Sequence, residues 1–259
     1  MSDSAPAPAL PDGYRLLRYD RIGSTNDAAK DLARSSAAEG TVVWAGEQTA
    51  GRGRRGRLWQ SPPGNLYVSL VLRPSGGAAH TAQLGFVAAL GLRDAVAGLT
   101  GPGPRVECKW PNDVLANGRK LAGILLESET AAAGTIDFVV IGVGTNLAFR
   151  PSDVEYPATS LTEEGFPEVT PAVLLEAFAH CFDAWARRWR AEGFAPIRAA
   201  WLARASGVGE AIRVRLERST LLGRFVDLDE DGALLLDAAA EQGGGRRRIA
   251  AGEVFPALG

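Results

Sequence analysis

Apolar residues recur along this chain with two different periods, and the change between them divides it. Residues 24–37 place Ala28, Ala29, Leu32 and Ala33 at helical spacing behind a Ser24/Thr25 cap, with Gly40 beyond the end, and predict a helix. Strands are predicted over 41–47, 65–72 (stopped by Pro74) and 105–110 (ended by Pro111), with an apolar helix over 82–98. A Gly/Arg/Pro-rich loop fills 48–64. Segments 113–116 and 119–127 flank Asn117-Gly118, a pair suited to a two-residue hairpin turn. Residues 135–147 read as a buried strand running into a loop. Thr170-Pro171 opens a long helix with Leu174, Phe178, Phe182, Trp185 and Trp189 on one stripe, a core face rather than a cofactor box. A second helix spans about 195–205. Beyond it the period shortens: 212–217, 223–229, 233–237 and 246–255 predict short strands with tight turns such as Asp231-Gly232. The fold class is therefore α+β. A body over 14–207 precedes a small β module over 208–259, and residues 1–13 are an Ala/Pro-rich flexible tail.

Composition narrows the function. The net charge of −2 over 259 residues does not describe a polycation seeking nucleic acid. Two cysteines, Cys108 and Cys181, are too few for a disulfide framework, and two histidines too few for a His-rich metal site. Reduced cysteines and no signal peptide place the protein in the cytoplasm. No apolar run is read as reaching the roughly 20 residues of a membrane helix. Of 28 cationic residues only Lys30, Lys109 and Lys120 are lysines, so each lysine marks a place where an ammonium is wanted.

Four segments carry candidate chemistry. Gly51 to Arg57 contains G-x-G-x-x-G, but no helix follows and no acid occurs between Glu47 and Asp94, so it is not a dinucleotide fingerprint. It is a loop alternating glycines with arginines, suited to an anion or equally to a solvated basic face. Lys109-Trp110-Pro111-Asn112-Asp113 puts a cation, an amide and a carboxylate at a strand mouth; an ordinary turn would read the same. Strict alternation along 118–127 sets Lys120, Ala122, Ile124 and Leu126 on one face and Leu121, Gly123, Leu125 and Glu127 on the other. Gly142 and Gly144 share a strand face, where a ligand or backbone approaches closely.

Taken together and in this order, Ser24-Thr25-Asn26, Gln48, Gly51 to Arg57, Lys109 to Asp113, Gly118 to Gly123 and Gly142 to Asn146 resemble the bacterial biotin protein ligases, over about residues 19–255. The resemblance implies a core like the class II aminoacyl-tRNA synthetases with an SH3-like C-terminal barrel. It implies activation of biotin as biotinyl-5′-AMP and transfer to a lysine of a biotin carboxyl carrier domain of an acyl-CoA or pyruvate carboxylase. Ser24, Thr25, Asn26 and Gln48 would hold the ureido head. Gly123, Leu125, Gly142 and Gly144 would line a flat apolar pocket. Arg52, Gly53 and Arg54 would close over carboxylate and phosphate, with Arg57, Trp59, Lys109, Asn112 and Asn146 on the ATP side and Trp59 against adenine. Lys120, Arg54 and Asp113 would be catalytic, Lys120 bridging biotin's carboxylate and the α-phosphate. Asp113 would hold Mg2+ and help the incoming amine lose its proton. With about 20 residues before Ser24, the short class without a DNA-binding repressor domain is expected, and neither DNA nor membrane as partner. A homodimer stays open, with strand 135–144 or the sheet edge as the pairing element. Three alternatives remain: a lipoate or octanoyl ligase on the same fold, a nucleic-acid binder using 52–57 and 246–248, and a non-catalytic biotin store.

Overall fold

A computed structural model describes residues 7–131, 135–152 and 154–257. Its first sheet contains β1 (Arg15–Ile22), β2 (Thr41–Gln48), β3 (Leu66–Leu72), β4 (Val106–Lys109), β5 (Asp113–Ala116), β6 (Arg119–Thr130) and β7 (Ile136–Thr145) in the order β1-β2-β3-β7-β6-β5-β4. Only the β1–β2 pair is parallel. The helices are α1 (Thr25–Arg34), α2 (Ala78–Ala82), α3 (Leu84–Thr100), α4 (Pro171–Glu192) and α5 (Phe194–Leu202). The second sheet takes β8 (Ala211–Arg215), β9 (Thr220–Leu228), β10 (Leu234–Ala238), β11 (Arg246–Ile249) and β12 (Glu253–Pro256) in the order β11-β10-β9-β8-β12.

Alternation gives the first sheet two unlike faces. Leu66, Val68, Leu70 and Leu72 of β3 and Val139, Ile141 and Val143 of β7 point into the main core with α3, α4 and α5. On the other face α1 packs Ala29 and Ala33 on Val43, Val71, Phe138 and Val140. Further along that face the side chains shrink or turn polar, at Ser69, Gly142 and Gly144, and there the cavity lies. The Thr170 hydroxyl accepts from Val173 N and caps α4, whose Leu174, Phe178, Phe182 and Trp189 are buried as the stripe requires.

Several expectations are corrected. β1 is absent from the sequence reading, because RLLRYDRI does not alternate cleanly and this edge strand stays largely exposed. The strand expected over 246–255 is two strands on opposite edges of the second sheet, broken at 250–252. Of the expected tail, residues 1–6 lie outside the described residues. Over 7–13 the chain packs on α4, with Pro8 and Pro11 buried and Ala9 N donating to Glu176 Oε2 at 2.8 Å. β7 is flanked by β3 and β6, so it offers no edge to a second copy. Ala78–Thr100, mean hydropathy 1.3, is long and apolar enough by composition to cross a membrane, contrary to expectation. Here it is α2 and α3, two-thirds buried between the sheet and α4, which is why it is apolar all round.

Candidate active site

The hairpin β5–β6 turns at Asn117 (φ 49°) and Gly118 (φ 74°), the left-handed pair that a type I′ turn demands. The β5–β6 register then slips. Val114 pairs with Ala122 but Leu115 with Lys120, leaving Leu121 as the extra residue of a bulge. Leu121 and Ala122 are both fully buried toward the core. Strict alternation, which put Lys120 with Ala122 and Ile124, is thereby overturned. The bulge re-aims Lys120 to the face of Gly123 and Leu125, and a Cβ on Gly123 would lie 3.6 Å from Lys120 Cε.

Lys120 Nζ lies 2.7 Å from Asp113 Oδ1, and Lys109 Nζ donates to Asp113 Oδ2 at 3.3 Å. Lys109 and Asp113 flank the turn 110–112, whose Trp110–Pro111 peptide is cis. Burial by itself raises the Asp113 carboxyl, but the ammoniums of Lys120 and Lys109 outweigh it and hold the pKa below the usual carboxylate range. Burial lowers Lys109, against the pull of Asp113. Its Nζ stands 4.3 Å from the Tyr156 ring centroid and 6.0 Å from that of Phe255. Burial also pushes the Tyr156 phenol up to about 12.

The other end of the cavity is uncharged and hydrogen-bonded. Ser24 caps α1 by accepting from Asp27 N, which fixes Thr25 and Asn26 in the first turn. Thr25 N and Oγ1 donate to Gln48 Oε1 at 2.9 and 3.0 Å, and Gln48 Nε2 donates to Ser61 Oγ. A Cβ on Gly142 would run into Asn26 Oδ1.

The arginine loop lies between the two ends. Its Arg54–Gly56 stretch is a 3-10 turn with Arg55 at φ 58°. Arg52 forks onto both oxygens of Asp27 at 2.6 Å, so it faces α1 rather than the centre of the cavity. Arg54 donates to Asn112 Oδ1 at 3.2 Å and to Gly252 O at 3.3 Å. Arg57 pairs with Glu253 of β12 at 2.7 Å. The Trp59 indole lies across the floor glycines: a Cβ on Gly144 would come 2.6 Å from its Nε1, and one on Gly123 3.1 Å from its ring. Asn112 Nδ2 donates to Ile124 O, and Asn146 Nδ2 to Thr159 O.

These contacts enclose one cavity of about 640 Å³, and every residue singled out as a site candidate lines it. Several contributors are not among the residues expected from sequence. Glu155 and Tyr156 come from the irregular segment after β7, and Arg215, Glu253 and Phe255 from the second sheet. Asn65 shapes that segment: its Oδ1 accepts from Leu147 N, Ala148 N and Phe149 N at 2.8 to 3.0 Å. No local motif announces any of these.

The donor set does not fit a resident magnesium ion. Both Asp113 oxygens face ammonium groups, and among the described residues no three His, Cys, Asp or Glu gather. In this arrangement the Asp113 charge is shared by two lysines rather than turned toward a cation. A carboxylate held below its usual range is also a weaker base toward an incoming amine. Part of the basic faces offered to nucleic acid is taken up in ion pairs, Arg52 with Asp27, Arg57 with Glu253, Arg246 with Asp237 and Arg248 with Asp229 and Asp231.

Residues 19–146 match the model of the Biotin/lipoate A/B protein ligase family, and residues 207–255 the Biotin protein ligase C terminal domain. A biotin–[acetyl-CoA-carboxylase] ligase from Paracoccus denitrificans is 47% identical over 91% of this chain and 98% of its own. A bifunctional ligase/repressor from Bacillus subtilis is 36% identical over 87% of this chain and 70% of its own. The solved biotin protein ligase from Aquifex aeolicus in complex with biotin and ATP superposes with a TM-score of 0.76 at 26% identity, covering 93% of this chain and 97% of that one. A body whose polar head pocket and lysine–aspartate floor share one cavity, continued by a C-terminal sheet, thus meets relatives alike across nearly its whole length, and the chain belongs to the biotin protein ligase family.

Proposed function

We propose that this protein activates biotin with ATP and transfers it to a lysine of a carboxylase's biotin carrier domain. The observation that carries the reading is Lys120 Nζ, held 2.7 Å from buried Asp113 at the floor of a cavity whose far end is the Ser24–Asn26/Gln48 cluster. A ureido head bound there leaves the valeryl carboxylate directed at Lys120.

In the first step a carboxylate oxygen attacks the α-phosphorus of ATP, and the bond to the β-phosphate bridge breaks, releasing pyrophosphate. Two anions must approach, so the chief need is positive charge placed in advance. Lys120 supplies it, Asp113 fixes its direction, and Arg54 adds a second cation from the loop. Magnesium enters as part of the nucleotide substrate, MgATP. In the second step the carrier's amine attacks the acyl carbon, AMP leaves, and the amine gives up its proton. The uncharged head cluster selects biotin over an acid with no N–H to offer, because such an acid leaves buried polar groups unpaired. Two free thiols, Cys108 and Cys181, fit a reducing cytoplasm.

The test mixes the protein with MgATP, biotin and a biotin carrier domain and reads the carrier's mass. The carrier gains one biotinyl group, and a carrier whose acceptor lysine is replaced by arginine gains none. A carrier of unchanged mass would contradict the transfer, and modification by lipoate in place of biotin would move the protein to the sister activity.

A further inference from the structure

Behind the head cluster stands a carboxylate that the reaction itself does not use. Glu127 lies on β6, on the site face with Gly123 and Leu125. Its Oε1 pairs with Lys30 Nζ at 2.7 Å, and its Oε2 accepts from Asn26 Nδ2 at 2.7 Å. An ionised carboxylate can only accept, so it dictates which way the Asn26 amide faces. Nδ2 must point back to Glu127, and Oδ1 must point forward beside Gly142. There Oδ1 accepts from Ser69 Oγ at 2.6 Å, its one hydrogen bond among the described residues, and so retains a lone pair. Thr25 commits its own hydroxyl proton to Gln48 Oε1, and Ser69 Oγ also lies 2.8 Å from Thr25 Oγ1, so the one Ser69 proton can serve either oxygen and the orientation of Asn26 rests on Glu127.

We infer that Glu127 is a positioning residue for substrate selection: it holds Asn26 as an acceptor, so that the pocket takes an acid whose head offers an N–H, such as a cyclic urea. The inference rests on the proposed binding of biotin in this cavity. Burial opposes the charge on Glu127, but Lys30 and Asn26 stabilise it more, and the group is ionised at neutral pH.

The test is steady-state pyrophosphate release with biotin and MgATP varied separately. In Glu127→Gln the amide can face Asn26 with either end, and the constraint is lost. The KM for biotin rises roughly tenfold, the worth of one misdirected hydrogen bond, while kcat and the KM for ATP stay put. Asn26→Asp sets two carboxylates face to face and loses more. The double variant Asn26→Asp with Glu127→Gln keeps the total charge and restores a donor behind an acceptor, so the biotin KM returns toward wild type. This pair can be compared even if Glu127→Gln alone folds poorly. Three results overturn the inference: an unchanged biotin KM in folded Glu127→Gln, a parallel rise in the KM for ATP, or a double variant no better than Asn26→Asp. A wild-type protein with no biotin-dependent release would instead overturn the function itself.

Discussion

Asp113 sits between two lysines whose roles differ. Lys120 approaches it from the cavity, whereas Lys109 is buried against Tyr156 and Phe255. Asp113→Asn leaves two ammonium groups without their counter-ion and costs about 3–5 kcal/mol, with adenylation lost. Lys109→Met leaves Asp113 paired with Lys120 and fills an aromatic cage with an apolar chain, so its melting temperature falls far less. Thermal unfolding of the two variants side by side checks this order, and equal losses would contradict it. At the cluster's other end, the Arg52 fork, helped by Lys30, takes the Asp27 carboxyl down to about 2. The folded pKa lies below the unfolded one, so the stabilisation is complete above pH 4 and disappears as pH falls toward 2. Asp27 is 46% exposed, so the amount is below about 1 kcal/mol. The denaturant midpoint of wild type should exceed that of Asp27→Asn at pH 5 and approach it toward pH 2; an equal gap at both pH values would contradict this.

At the scale of elements, what the sequence disclosed is what local rules control. The Ser24 and Thr170 caps, the Asn117-Gly118 turn and the α4 stripe each follow from a few neighbouring residues. The bulge at Leu121 does not. Period two applied to residues 118–127 sets Lys120 on the face of Ala122 and Ile124, and only pairing with β5, far from any local rule, shows one residue dropping out. Tyr156 and Glu253 reach the site, and Asn65 shapes the segment beside it, from stretches that carry no local motif. The floor glycines were legible as places of close approach, but what approaches in this structure is the Trp59 indole. Gly144→Ala sets a Cβ 2.6 Å from Trp59 Nε1 on a central strand that cannot shift, so the indole must leave its seat. Its expected outcome is a biotin-dependent rate at least tenfold lower with a melting temperature near wild type, since the cost falls on the cavity rather than the core. Unchanged activity would mean that the indole's place on the floor is irrelevant.

At the scale of the whole molecule, the second sheet meets the first through ions at the mouth of the cavity. Glu253 of β12 pairs with Arg57 of the arginine loop and with Arg215 of β8, and Arg215 reaches Glu155 at 2.7 Å. One carboxylate thus ties the C-terminal sheet to the loop and, through Arg215, to the segment after β7. Glu253→Gln frees both arginines, and the KM for ATP should rise while that for biotin holds. Added salt should weaken the wild type toward the variant, because these groups are partly exposed. A salt response identical in both proteins would deny the tie. On the proposed function, this cavity joins biotin's carboxylate to the α-phosphate of ATP. Pyrophosphate release from MgATP with biotin, lipoate or octanoate as the acid tests this directly. Release is expected with biotin alone, with biotinyl-5′-AMP accumulating when no carrier is present. Release with lipoate or octanoate but not biotin, or none with any acid from folded protein, would contradict it.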